Sequence, residues 1–243
     1  CDKDNDVNIF TIEDDKALGK KVANKIEADT SDQDVLDTTT YSEAYNYLFR
    51  IRDKILSSGK VQYRDEFVWR TRIIDDTTLN AFCAPGGYIY VYTGLIKYLD
   101  SEEELAGVIA HEIAHADKRH VTDQLTKKYG ISVLLDVVLG EDRGTLVQIA
   151  NGLAQLKFSR NNESEADEYS VIYMCPTDYQ ADGAAAFFQK LLNQGQTGPP
   201  QFLSTHPSPD NRVEAIQSKE QELGCDGDQT YDSRYQDFQN SLP

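Results

Sequence analysis

The chain has 243 residues, enough for one large domain or two small ones, and 40% hydrophobic with 27% charged side chains excludes wholesale disorder. Its 24 basic against 41 acidic side chains leave a formal charge of −17, which repels phosphate backbones and argues against a nucleic-acid partner. The longest apolar stretch, Ile131 to Leu139, is interrupted by Asp136 and is too short to span a bilayer.

The numbering opens on Cys1 followed by a polar run, Asp2 to Asp6, as expected where a signal peptide has been removed. Such a start resembles a bacterial lipoprotein, which implies an exported, periplasm-facing chain whose membrane contact is a lipid on Cys1. Of the four cysteines, Cys83, Cys175 and Cys225 then remain for one bridge and one buried thiol, with the pairing open. None forms a CxxC, so a structural zinc knuckle is not expected.

Residues 1–17 read as an acidic leader, 18–225 as one catalytic-sized domain, and 226–243 as a C-terminal tail. A helix is predicted over Lys16–Ala28, then an Asp/Thr-rich linker through Thr40, then a helix over Tyr41–Leu56 with apolar spacing at Tyr45, Leu48, Ile51 and Ile55. Phe67, Trp69, Thr71 and Ile73 alternate with Val68, Arg70 and Arg72, a strand pattern. Two short β segments, Asn80–Pro85 and Tyr88–Tyr92, flank Gly86-Gly87. Ser101 with Glu104 is a capping-box signature opening a helix. Further helices are predicted over Val121–Leu139, Thr145–Met174, Ala181–Leu192 and Asp210–Leu223, with Gln194–Pro209 as a Gly/Pro-containing loop. The fold class is α+β, mostly helical, with a small antiparallel sheet before the helix that carries the chemistry.

That helix contains His111-Glu112-Ile113-Ala114-His115, which holds two of the chain's four histidines. At about 100° per residue, His111 and His115 stand about 40° and one turn apart, so both imidazoles can reach one metal ion. Glu112 falls about 60° from His115, where its carboxylate can take a proton from an attacking water. A catalytic zinc site needs a third protein ligand. His120 stands about 180° from His111 if the helix continues, so it points away, and Lys118 occupies the place of the glycine bend that would bring it back.

A richer segment follows in Ser159-Arg160-Asn161-Asn162-Glu163-Ser164-Glu165-Ala166-Asp167. His-Glu-x-x-His with Glu-x-x-Ala-Asp some fifty residues later resembles the HtpX/BepA-like family of gluzincin peptidases. Asn80-Ala81-Phe82, Pro85-Gly86-Gly87 and Thr93-Gly94-Leu95 resemble that family's segment before the active helix, and Thr205-His206-Pro207 with Arg212 resembles its later loop. The resemblance implies a zincin-type domain holding one zinc per chain through His111, His115 and Glu163, with Glu112 as general base. Asp167, one turn beyond Glu163, would fix a ligand histidine, and Arg212 would support the site. Glu165 points about 160° from Glu163 and Glu168 about 140°, so neither replaces it. The chain departs from the HtpX-like members in lacking a spanning segment, and from BepA in lacking a helical repeat array.

The chemistry so implied is hydrolysis of internal bonds in polypeptide substrates, unfolded or misassembled envelope proteins being the expected class. Tyr88–Tyr92 is read as a sheet edge able to hold an extended peptide by strand addition. A zinc-bearing chaperone or assembly factor with little turnover is the alternative, and it leaves Glu112 without a chemical role. His206 has two expected roles: a hydrogen-bond donor to the oxyanion, or a cap on the fourth zinc position that keeps the enzyme latent.

Overall fold

The computed structural model describes residues 10–28, 34–193, 201–207 and 211–243; Cys1, with its expected lipid, and residues 2–9 lie outside them. The first helix, α1, runs Ile12–Ala28 and opens four residues before its predicted start. Thr11 and Asp14 explain this, since each side chain accepts from the other's backbone N–H, at 2.9 and 3.1 Å. Phe10 and Asp15 are buried, so residues 10–17 are part of the packed body and not an extended leader.

After α2 (Ser42–Leu56), three strands follow: β1 (Arg70–Ile74), β2 (Ala81–Ala84) and β3 (Tyr88–Tyr92). Their order is β1-β3-β2, with β2 antiparallel and β1 parallel to β3. The sheet is therefore mixed, not purely antiparallel, because the β2–β3 hairpin folds back and inserts β3 beside β1. Gly86 and Gly87, at φ +76° and +87°, make that turn. Every residue of β3 is buried, which overturns the reading of Tyr88–Tyr92 as a free edge. Residues 34–36 cover part of β1 through bonds such as Leu36 N–H to Ile73 O. Among the described strands β2 is the outer one, and its four residues are buried as well.

A short α3 (Thr93–Tyr98) leads into α4 (Glu102–Asp117), and every residue of α4 is buried. Such a helix cannot be amphipathic; it is enclosed, chiefly by α8 (Arg160–Met174) and α9 (Gly183–Asn193), with β2 beside it. Ser101 occupies the N-cap position but makes no side-chain cap bond; Asp100 N–H donates instead to Glu104 Oε2 at 2.9 Å. At the same end Glu102, with no solvent exposure, accepts from Tyr47, Tyr179 and Arg234. Arg234 belongs to α12 (Asp232–Asn240), a helix within the residues expected as a tail; Tyr235 anchors it by donating to Ile96 O at 2.7 Å.

Two predicted long helices are each divided. Gly130, at φ +83°, separates α5 (His120–Tyr129) from α6 (Ile131–Leu139). Thr145–Met174 becomes α7 (Arg143–Gly152), a 3-10 turn at Leu153–Gln155, and α8, which Ser159 starts with a capping box to Asn162. Within the predicted loop, Gln201–Thr205 forms α10, while residues 194–200 and 208–209 lie outside the described ones. The helix α11 (Arg212–Leu223) follows, and a Cys175–Cys225 disulfide ties the end of α8 to the residues just after α11. Cys83 is the buried free thiol.

The seating of α4 depends on two glycines. A Cβ on Gly107 would stand 2.3 Å from Ala184 N, and one on Gly183 would stand 2.2 Å from Glu103 O. Gly107→Ala therefore forces α4 and α9 apart. The expected cost is about 3 kcal/mol, the upper range for overpacking, or roughly 6–12 °C in melting temperature for a chain of this size. Calorimetry checks this, and an unchanged melting temperature would contradict the close crossing.

Candidate metal centre

Where α4 crosses α8, four side chains converge: His111 and His115 from α4, Glu163 from the first turn of α8, and His206 from just beyond α10. Each is at most 1% exposed. One donor atom from each lies within 4.8 Å of all the others. His111 Nε2 is 3.0 Å from His115 Nε2 and 3.3 Å from His206 Nδ1. Glu163 Oε1 is 3.3 Å from His115 Nε2 and 3.1 Å from His206 Nδ1. Ligands held at about 2.0–2.1 Å by a tetrahedral zinc stand about 3.3 Å from one another, and these four separations are of that size.

Charge makes the same case. With the histidines neutral, as metal ligation requires, Glu112, Glu163 and Asp167 carry three formal negative charges against the one positive charge of Arg212, which lies 3.1 Å from Glu163 and 2.7 Å from Asp167. Glu112 has no solvent exposure; its ionisable neighbours are the buried Cys83 thiol, pushed up by burial and by the Glu112 charge, and His206 Nε2, 3.5 Å from Oε1. Glu163 Oε2 accepts no hydrogen bond, although Arg212 Nη2 lies 3.1 Å away. Buried carboxylate oxygens without partners are costly, and a divalent cation offsets the excess of two charges.

The surroundings hold the donors in place. His111 Nδ1 lies 3.0 Å from Asp167 Oδ1, to which Arg212 Nη2 donates at 2.7 Å. Arg212 also stacks over Phe188, its guanidinium carbon 3.6 Å from the ring centroid. Phe158 stacks on His115 at 3.9 Å and Phe202 on His206 at 4.3 Å between centroids, two contacts with no signal in the sequence. Burial opposes a charge on His111, but Asp167 and then Glu163 outweigh it and lift its pKa to about 9. Burial pushes His115 well below its usual value. Burial likewise opposes the charge of Glu163, yet His206, His111 and His115 hold it well below the usual carboxylate range.

All the predicted site residues thus come together: His111, Glu112, His115, Glu163, Asp167, His206 and Arg212. His120 stays outside the donor set as expected, for a different reason. The helix does not continue through it: α4 stops at Asp117, Arg119 takes a left-handed conformation at φ +62°, and α5 restarts at His120. The bend turns His120 back behind His115, with the two Nδ1 atoms 3.0 Å apart.

Residues 43–220 match the profile of Peptidase family M48. The chain belongs to that family. It is 35% identical over 149 residues to the mitochondrial metalloendopeptidase OMA1 of Arabidopsis thaliana, a match covering 61% of this chain and 31% of that one. It is 30% identical over 166 residues to the beta-barrel assembly-enhancing protease of Yersinia pestis, covering 62% and 34%. To the protein of that name in Escherichia coli K12 it is 29% identical over 158 residues, covering 58% and 32%. The chain therefore spans about a third of the length of these curated relatives. Among the described residues no helix is long and apolar enough to cross a membrane.

Metal uptake by this M48 centre should release protons. At pH 7 the metal-free protein holds a proton on His111, whose pKa is about 9, and a ligand nitrogen must be free of it. Apparent affinity should rise with pH by up to about tenfold per unit and level off near pH 9. Calorimetry in buffers of different ionisation enthalpy checks this; pH-independent uptake with no proton release would contradict it.

Proposed function

We propose that the chain is a zinc-dependent endopeptidase in which His111, His115 and Glu163 hold the metal and His206 closes its remaining position until a polypeptide displaces it. One observation carries this reading: four ligand atoms within 4.8 Å of one another, all shut away from solvent, beside a buried glutamate. Zinc, when bound, supplies Lewis-acid polarisation of a carbonyl and acidifies water. Glu112 takes the proton of the attacking water on its carboxylate and passes it to the leaving amine. Asp167 holds the His111 ring through Nδ1, and Arg212 holds Asp167 in place by donating to it. Exclusion of water by Phe158 and Phe202 strengthens each of these interactions.

An extended peptide would add to β2, the outer strand next to α4, which is buried while the site is closed. Near the entry to β2 a cavity of about 370 Å³ opens between Asn80, Tyr92, Ala154 and Gln201. Strand addition there would read main chain more than side chain, which suits unfolded or misassembled polypeptides. The names of the bacterial relatives support envelope proteins as the substrate class. The closed donor set also suits a zinc-bearing assembly factor with little turnover. Glu112 favours the enzyme, because a pure metal binder gains nothing from a buried carboxylate beside the donor set.

Two substitutions test the reading. Glu112→Gln should retain zinc and fold while lowering casein turnover by at least about a hundredfold, as for a lost general base. Undiminished proteolysis would remove Glu112 from the chemistry. His206→Ala should raise basal proteolysis several-fold with zinc retained by three ligands; a fall in rate at unchanged zinc content would make His206 an oxyanion donor instead.

A further inference from the structure

Both histidines of α4 turn one nitrogen toward the donor cluster and the other away from it. For His111 the outer nitrogen meets a carboxylate directly, that of Asp167. For His115 it meets His120, Nδ1 to Nδ1 at 3.0 Å, and His120 Nε2 in turn lies 3.1 Å from Glu165 Oε2. His115 has no exposure, His120 1%, and the Glu165 side chain 18%. Glu165 points away from Glu163 on α8, as its spacing requires, and that is the direction in which the bend at Arg119 has carried His120.

Two nitrogens 3.0 Å apart need one proton between them. A histidine that gives Nε2 to a metal keeps its proton on Nδ1. His120 Nδ1 must then be the acceptor, and its own proton sits on Nε2, where the carboxylate of Glu165 receives it. Each link permits one tautomer only. We propose that His120 and Glu165 are positioning residues for the metal centre: a relay that fixes the tautomer and ring orientation of His115, doing across two residues what Asp167 does for His111 in one. Neither touches substrate. The relay rests on the zinc reading, because without a metal on His115 nothing selects the first tautomer.

Outer partners of ligand histidines typically contribute about 10–100-fold to metal affinity. The test is zinc affinity by chelator competition, measured on the whole chain together with its thermal unfolding. Glu165→Ala should weaken zinc binding about tenfold, since His120 is then free to place its proton on Nδ1 against that of His115. Glu165→Gln, whose amide oxygen still accepts from Nε2, should recover most of the loss. His120→Ala should weaken binding by about 10–100-fold. Because Glu165 acts only through His120, Glu165→Ala should add nothing in the His120→Ala background.

Nitrogen-15 NMR of the zinc-loaded wild type gives a second readout that general destabilisation would not move. It should find His115 protonated at Nδ1 and His120 at Nε2 alone. Should His120→Ala fail to fold, the Glu165 pair and the NMR assignment decide the matter. Unchanged affinity in Glu165→Ala, additive losses in the double variant, or a proton on His120 Nδ1 would each overturn the relay while leaving the enzyme reading intact. A wild-type chain that takes up no zinc, with His115→Ala indistinguishable from it, would remove the enzyme reading and the relay together.

Discussion

Three carboxylates and three imidazoles without solvent contact, or nearly so, meet where α4 crosses α8, and most of the fold can be understood as the means of keeping them there. Buried charge is tolerated only where it is paired and hydrogen-bonded, so each group needs partners delivered by a different part of the chain. The helix α8 carries Glu163, Glu165 and Asp167 at alternate positions. One of these reaches the donor cluster, one the outer nitrogen of His111, and one His120. A rotation or slide of α8 would break all three contacts at once. The Ser159–Asn162 capping box, which fixes where α8 begins, therefore also fixes the site.

The opposite end of α4 shows the same economy of partners. Glu102 is wholly buried and would be untenable there alone. Two tyrosines and Arg234 supply its hydrogen bonds, and in doing so they bind α12 to the body of the protein. Arg119 and Thr122 do likewise for Asp15, so α1 is fastened beside the bend that places His120. The glycine contacts between α4 and α9 then remove the remaining freedom, leaving the metal-facing side of α4 fixed in depth as well as in rotation.

The site was largely legible in the sequence because its main parts are local. His111, Glu112 and His115 declare themselves by helical spacing, and the Glu163–Asp167 stretch does so once a family pattern is laid over it. The Gly86-Gly87 turn and the strands beside it were legible for the same reason. What failed depended on contacts between distant segments. Strand alternation cannot say whether β1 meets β3 or β2, so a mixed sheet was read as antiparallel and an interior strand as an edge. Arg119 is not a residue type that announces a left-handed bend, and the rotation argument for His120 assumed that α4 continued. Its conclusion about the donor set stood, but the partnership with His115 was invisible. Asp232–Asn240 has too few apolar residues to be read as a helix, and it is held chiefly by what Arg234 and Tyr235 find on the other side.

The closing segment follows the same logic of shared partners. Arg212, at the start of α11, donates to Asp167 at 2.7 Å and lies within 3.5 Å of the carbonyl of His206, so one guanidinium joins the α4–α8 wall of the site to the donor beyond α10. Phe202 stacks on the His206 ring from within α10. Withdrawal of His206 would give up that stacking and the carbonyl contact, yet it need not disturb Arg212's bond to Asp167. Under the proposed function, the site would open on one side while its α4–α8 wall kept its charges paired. Under the proposed function, a donor not carried by α4 or α8 is the one that could withdraw, which would separate a latent metal site from a permanently closed one.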